Sequence, residues 1–118
     1  MKILLDHCLD WRLGRSLQSH QVKSAQEVGW DNLKNGKLLA AVATVFEVLL
    51  TVDRNLKSEQ NLKTLPVAVI VLIGRSNRLR DLLPLLPHLE NALAIVKKGQ
   101  VVEVDATGFR IVSRTTVP

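Results

Sequence analysis

The chain of 118 residues fits one domain with its own core, and its 47% apolar and 23% charged residues exclude a disordered chain. A single cysteine, Cys8, excludes an internal disulfide and a cysteine-based zinc site, and it fits a reducing cytosol. The net charge is +5, and residues 61–118 hold 8 basic and 4 acidic side chains, against 8 and 7 in residues 1–60.

Short apolar runs alternate with apolar residues at helical spacing, and this alternation predicts an α/β fold with a mainly parallel central sheet. The first strand is apolar on both faces, as expected for a strand that is covered on both sides. The elements expected in the first half are a strand at about Lys2–Leu5, a helix from Trp11 to about Gln18 capped by Asp10, a short strand near Gln21–Lys23, a capping-box turn at Ser24–Glu27 closed by Gly29, a helix after the turn Asn35-Gly36, and a strand at about Glu47–Thr51.

The second half begins with the most apolar run of the chain and ends in a different pattern. Its expected elements are a short helix around Leu56–Leu62, a central strand at Val67–Ile73, a loop at Gly74–Asn77, a helix from Asn77 to about Lys98 with a break at Pro84 and Pro87, and strands at Val101–Asp105 and Phe109–Ser113. The turn Ala106-Thr107-Gly108 predicts an antiparallel hairpin with its glycine in the left-handed position. Its apolar edge would suit a homodimer.

Two further patterns concern the location of the protein and its ligands. The run Ile3–Leu5 is far shorter than the core of a signal peptide, and Leu65–Ile73 is too short to span a bilayer. We therefore expect a cytoplasmic protein without membrane contact. Aromatic residues make up 3% of the chain, with no tyrosine, which argues against a platform that stacks unpaired bases.

Two acidic residues each follow a buried-type strand directly. Asp6 comes after Ile3–Leu5, and Asp53 comes after Val48–Val52. In an open parallel sheet, ligands bind outside the carboxyl ends of the strands, so both acids are expected in one cleft. With Glu27 from the early helix they form a candidate Mg²⁺ or Mn²⁺ site, because hard cations prefer oxygen ligands. Such an ion supports phosphodiester hydrolysis.

Each of these acids also has a structural interpretation. Glu27 has the spacing of a capping-box partner of Ser24, and Asp53 suits a helix cap or an Asx turn. Asp6 is the hardest to explain in this way, because an acid beside a buried strand is costly unless it is paired, bound to metal or in contact with solvent.

The remaining polar residues give weaker patterns. Arg75, Arg78 and Arg80 lie within six residues, which fits either phosphate attraction or a solvated helix start. The histidines have no spacing typical of metal ligands, although His7 is adjacent to Asp6. The chain has neither a nucleophile elbow nor a phosphate-binding glycine loop, so nucleophilic catalysis is not supported.

Four segments together resemble a family of small PIN-like proteins: MKILLDHCLDWRL, SAQEVGWDNLKNGKLLAAV, LLTVDRNLKSEQNL and VIVLIGRSNRLRDLLPLLP. The resemblance covers about residues 1–104 and leaves 105–118 as a hairpin strand and tail. PIN domains are metal-dependent ribonucleases, many of them toxins of prokaryotic toxin–antitoxin pairs, with acids at the carboxyl ends of a parallel sheet. The resemblance implies a single PIN-like three-layer α/β domain with helices on both faces, Mg²⁺ or Mn²⁺ as cofactor, RNA as substrate and a small antitoxin as partner.

Residue by residue, Asp6 matches the acid that ends the first strand, Glu27 the acid on the early helix and Asp53 the acid that ends the third strand. Asn55 stands where PIN proteins often have a fourth acid, and its amide oxygen could also ligate a metal. His7 stands where relatives usually have glutamate, so both differences lower the negative charge of the expected site. The other residues expected to line the cleft or contact substrate are Lys57, Gln60, Asn61, Arg75, Ser76, Asn77 and Arg78.

The leading hypothesis is therefore a metal-dependent ribonuclease, with a non-catalytic PIN-like module that binds protein or nucleic acid as the alternative. A third hypothesis is a receiver-like domain, since acids at the strand ends would suit aspartyl phosphorylation. Receivers usually have adjacent acids after the first strand and a lysine at the end of a late strand. This chain has His7 after Asp6, and Lys97-Lys98 follow a helical pattern.

Overall fold

The computed structural model describes residues 1–33, 35–54 and 67–112, and within them six strands form one sheet. In chain order these are β1 (Lys2–Leu5), β2 (Gln21–Ser24), β3 (Val48–Thr51), β4 (Ala68–Leu72), β5 (Val101–Asp105) and β6 (Gly108–Ile111). Their order across the sheet is β2-β1-β3-β4-β5-β6. The predictions of an α/β fold and of a mainly parallel sheet are confirmed.

Strands β1 to β5 are parallel, so their carboxyl ends share one edge of the sheet. The chain leaves β1 for β2 on one side and returns to β3 on the other side of β1. The β1/β3 boundary is therefore a topological switch point, where connections depart in opposite directions and leave a crevice that suits a ligand. Leu5 at the end of β1 is level with Ser24 of β2 and Leu50 of β3.

Within the described residues the helices are α1 (Ala25–Val28), which is the single turn predicted at the capping box, α2 (Asn35–Val45), α3 (Leu79–Leu82) and α4 (Leu86–Ile95). In the same ranges, 3₁₀ segments lie at Trp11–Ser16 and Leu83–Leu85. The helix expected from Asn77 to about Lys98 begins at Leu79 and ends at Ile95. The break predicted at Pro84 and Pro87 is confirmed, because the 3₁₀ segment Leu83–Leu85 separates α3 from α4 where the prolines lack the N–H groups of a continuous helix. The expected cap Asn77 is wrong: Arg78 occupies that position.

The segment after β1 is a 3₁₀ helix that ends at Ser16, not an α-helix to Gln18. Asp10 caps it as predicted, because its carboxylate accepts a hydrogen bond from the Arg12 N–H at 2.9 Å. A Cβ atom at Gly14 would lie 3.2 Å from a methyl group of Val22. An added methyl group at Gly14 would therefore require Val22 to shift by a few tenths of an ångström.

Alternate strand residues contribute to two separate hydrophobic clusters. The first cluster joins Leu5, Leu50 and Ile70 to apolar residues of the 3₁₀ segments and of α3 and α4, including Leu13, Leu82, Leu85, Leu89 and Leu93. The second joins Leu4, Leu49 and Val69 to Ala25 and to the α2 stripe Leu38, Leu39 and Val42 with Phe46. Every residue of β3 and β4 is buried, as expected for central strands.

The antiparallel pairing of β5 with β6 confirms the predicted hairpin. Gly108 begins β6, opposite Asp105, with a φ of 141° in the region that favours glycine. The last strand was expected to reach Ser113, which lies outside the described residues, as does the helix expected at Leu56–Leu62. Within the described ranges no helix has the length and apolar character needed to cross a membrane.

Candidate active site at the carboxyl edge of the sheet

Asp6 follows β1 at the switch point and is buried, with 7% of its surface exposed. Its backbone N–H donates to the Leu50 carbonyl at 2.9 Å, which extends the β1/β3 pairing by one residue. Its Oδ1 accepts a hydrogen bond from the His7 N–H at 2.7 Å and lies 3.0 Å from His7 Nδ1. Its Oδ2 accepts from the Thr51 hydroxyl at 2.7 Å. These bonds compensate the cost of burying the carboxylate and fix its orientation.

Thr51 connects the two strand ends and was missed by sequence reasoning. It is the last residue of β3 and fully buried, and its hydroxyl donates to Asp6 and accepts from the Asp53 N–H at 3.1 Å. Cys8 Sγ lies 3.6 Å from the same hydroxyl. The sequence did contain a signal for this role, because Thr51 is a hydroxyl residue at the end of an otherwise apolar strand and lies two residues before Asp53.

Asp53 is half-buried and follows β3, the neighbour of β1 in the sheet. Asp6 and Asp53 therefore follow adjacent parallel strands and share Thr51 as a hydrogen-bond partner, the first through its side chain and the second through its backbone. The two acids thus follow neighbouring strand ends, as expected from their positions in the sequence, while a shared metal-binding cleft stays a prediction.

Glu27 lies on α1, directly after β2, and its side chain closes a capping box. Its Oε1 accepts from the Ser24 N–H at 2.9 Å, while its own N–H donates to Ser24 Oγ at 3.1 Å. The structural interpretation of Glu27 is thus correct. The neighbouring Gln26 side chain donates to the His7 carbonyl at 3.3 Å, which ties α1 to the segment after β1.

The described residues include no group of three or more His, Cys, Asp and Glu side chains that could hold a metal ion. The carboxylates of Asp6 and Asp53 are nevertheless donors of the kind that Mg²⁺ prefers, and this ion commonly binds one or two carboxylates together with water. Four residues expected near the acids lie outside the described residues: Asn55, Lys57, Gln60 and Asn61.

The loop after β4 lies at the same edge and holds the other candidate substrate contacts. The Ser76 hydroxyl donates to Asp81 Oδ2 and accepts from the Arg78 N–H at 3.1 Å, so Ser76 shapes this loop. Arg75, Asn77 and Arg78 are exposed. Their position beside β3 makes the two arginines suitable for attracting a phosphate backbone.

Cys8 is half-buried. Burial raises the pKa of its thiol, and the nearby Asp6 carboxylate acts in the same direction. The thiolate is therefore disfavoured at neutral pH, and Cys8 is unsuited to act as a nucleophile.

The receiver hypothesis needs a lysine at the carboxyl end of a late strand. In this fold β5 ends with Asp105, followed by Ala106-Thr107, while Lys97 and Lys98 precede β5. Both lysines thus connect to the amino end of the strand, at the opposite edge of the sheet. This placement disfavours aspartyl phosphorylation at Asp53.

The described part of the chain thus combines two acids, a buried threonine and exposed arginines at one edge of the sheet. Comparisons of the chain with protein-family models, with curated proteins and with solved structures found no match.

Proposed function

We propose that the chain is a PIN-like ribonuclease that depends on Mg²⁺ or Mn²⁺ and hydrolyses RNA phosphodiester bonds at the carboxyl edge of its sheet. The observation that supports this most is the position of Asp6 and Asp53 on the two strands that flank the switch point. The two separate core clusters are compatible with the three layers and two helical faces of a PIN-like domain.

The metal would be held by Asp6 and Asp53, with Glu27 and Asn55 as further ligands. When bound, the ion would supply Lewis-acid assistance to phosphodiester hydrolysis. An ionised carboxylate has about four lone-pair sites. Asp6 Oδ1 faces two nitrogen atoms of His7 and Oδ2 accepts from the Thr51 hydroxyl, so a cation would bind the same carboxylate beside these groups.

The other residues would position the reactants and hold a proton. Thr51 keeps the Asp6 carboxylate in place. His7 directs Nδ1 towards Asp6, which leaves Nε2 as the ring nitrogen that can take up or release a proton during attack of water on phosphorus. Arg75 and Arg78 would attract the RNA backbone to this edge.

The test is cleavage of mixed single-stranded and structured RNA by the purified chain with Mn²⁺, Mg²⁺ or a chelator. Asp6→Asn and Asp53→Asn should each reduce metal-dependent cleavage at least about 100-fold, because each removes a charge from the proposed metal ligands. Asp31→Asn is the matched control, since Asp31 is exposed, lies in a turn and is not among the proposed metal ligands. Equal activity in all variants would identify a contaminating nuclease.

The alternative is a non-catalytic PIN-like module that binds protein or nucleic acid. One observation favours it: the Glu27 side chain is engaged in the capping box, so an acid that the resemblance assigns to the metal already has a structural role. Binding of RNA in the presence of chelator, equal in the wild type and Asp6→Asn, without cleavage under any metal, would support this alternative and contradict the ribonuclease.

A toxin role extends the ribonuclease proposal to cells. A small antitoxin would then cover the edge that contains Asp6 and Asp53. Induced expression of the wild type in a bacterial host should arrest growth, while Asp6→Asn and Asp53→Asn expressed to the same level should not. Growth arrest by all three proteins would show that toxicity does not depend on these acids.

A further inference from the structure

A pocket of about 380 Å³ opens at the carboxyl ends of β4 and β5. One wall comes from the segment after β4, which includes Ile73 and Arg75, and another from the β5–β6 turn, which includes Asp105 and Ala106. The α3–α4 segment completes it with Pro84 among others. The β5–β6 turn is distant in sequence from the other two segments, so no local pattern indicates the pocket.

The size and lining of the pocket suit a small flat ring. Ligand pockets commonly measure about 300–1,000 Å³ and combine apolar walls with a few polar groups. Ile73, Pro84 and Leu85 supply apolar surface, with Ala106 at the turn. Apolar side chains can hold an unstacked base between them, so the scarcity of aromatic residues does not prevent base binding.

Two carboxylates contribute to the lining, and hydrogen bonds fix the orientation of both. Asp81 Oδ2 accepts from the Ser76 hydroxyl. Asp105 Oδ1 accepts from the Thr107 N–H at 2.8 Å and from its hydroxyl at 2.6 Å. Ionised carboxylates only accept hydrogen bonds, so they select ligands that present N–H donors. The amino group of cytosine is one such donor to aspartate.

Arg75 adds a cation to the same pocket. It is exposed, and within the described ranges it makes no hydrogen bond or ion pair, so its guanidinium can contact a phosphate. Adjacent strands lie about 5 Å apart, which places the ends of β4 and β5 on the order of 5 to 10 Å from the end of β3. The pocket is therefore within reach of a nucleotide next to one bound at Asp6 and Asp53.

We propose that this pocket binds an amino-bearing base of an RNA strand, with the Asp81 and Asp105 carboxylates accepting from the amino group and Arg75 contacting the adjoining phosphate. Its role beside a cleavage site rests on the proposed ribonuclease function. Binding of the base itself requires neither metal nor cleavage.

The test is binding of cytidine 5′-monophosphate and uridine 5′-monophosphate in chelator, followed by calorimetry and by the amide resonances of Ala106 and Thr107. These probes differ by one amino group in place of a carbonyl. Cytidine monophosphate should bind about tenfold more tightly, since a hydrogen bond to a charged group distinguishes them. Ala106→Phe should abolish binding by filling the pocket, whereas Ala40→Phe on the exposed side of α2 should leave it unchanged.

Two further variants keep the result interpretable if Ala106→Phe folds poorly. Asp105→Asn retains an oxygen that can accept from Thr107, and it should remove most of the preference for the cytidine nucleotide. Arg75→Gln should weaken binding of the nucleotide and leave binding of free cytidine unchanged. Equal affinity for both nucleotides, or binding unchanged by Ala106→Phe with its fold intact, would overturn the proposal. Base binding without RNA cleavage would support the pocket and contradict the ribonuclease, whereas cleavage without base binding would do the reverse.

Discussion

Two buried acids, Asp6 at the end of β1 and Glu103 within β5, show how position determines what a carboxylate can do. They are 7% and 3% exposed, respectively. Asp6 accepts hydrogen bonds from the Thr51 hydroxyl and the His7 backbone, whereas Glu103 forms an ion pair with Arg110 of β6 at 2.9 Å. Each satisfies the requirement that a buried acid be bonded, but with partners of different charge.

This difference separates a candidate ligand from a structural acid. The Arg110 guanidinium neutralises Glu103 between two strands of the hairpin. The Thr51 hydroxyl carries no charge, and the His7 ring lies 3.0 Å from the same carboxylate. Because Asp6 stands at the edge where the parallel strands end, it is better placed than Glu103 to contact a cation.

The largest effect expected from this comparison is on RNA cleavage. Asp6→Asn should reduce kcat/KM at least about 100-fold. Arg110→Ala, which removes the partner of Glu103, should change kcat/KM less than about threefold. Cleavage rates with saturating Mn²⁺ measure both. A loss of the same size in Arg110→Ala, with its fold intact, would show that the two acids are not functionally distinct.

The next effect is on stability of the hairpin. Arg110→Ala should lower the free energy of unfolding by about 1–3 kcal/mol, because Glu103 loses a charged hydrogen-bond partner. Urea unfolding gives this value. Arg110→Lys retains the charge and should recover part of the loss; an alanine variant as stable as the wild type would mean that this ion pair contributes nothing.

A smaller loss is expected at the switch point. Thr51→Val keeps the size of the side chain but removes the hydroxyl that donates to Asp6 and accepts from Asp53, which should cost about 1–2 kcal/mol in the free energy of unfolding. Thr51→Ser retains the hydroxyl and serves as the control. Urea unfolding measures both variants. A Thr51→Ser variant that is less stable than Thr51→Val would contradict this prediction.

The smallest effect concerns a third acid, Asp10, which is paired near the surface. Hydrogen bonds from Arg12 lower the pKa of the Asp10 carboxyl to about 2. Because the folded pKa is below the unfolded value of about 3.9, this stabilisation is present above pH 4 and is lost as the pH falls towards 2. Solvent screening should keep it below about 1 kcal/mol.

Acid titration of unfolding in the wild type and in Asp10→Asn measures this contribution. The difference between them should be constant above pH 4 and shrink below it. A difference that grows as the pH falls would contradict the assigned direction of the pKa shift.

Much of the fold could be predicted because its signals are local. The continuous apolar runs at β3 and β4 require burial on both faces, and Pro84 and Pro87 interrupt a helix wherever they occur. The capping box of Ser24 and Glu27 was predicted from spacing alone. Errors arose where packing against neighbouring elements decides the local structure, as in the 3₁₀ segment that approaches β2 closely at Gly14.

The candidate site was predictable only in part. The positions of Asp6 and Asp53 after apolar runs indicated strand ends, but not that Thr51 would bond to both segments. The pocket beside Arg75 was not indicated at all, because its walls come from segments that meet only in the folded chain.

The sequence by itself determined the strands, the hairpin and the caps at Asp10 and Ser24, because these depend on residues within a few positions of one another. Tertiary structure alone decided which strands are neighbours, which buried acid meets an arginine and which meets a threonine, and where a pocket remains. Those outcomes depend on strand order and register, which bring together residues such as Asp6 and Thr51, 45 positions apart.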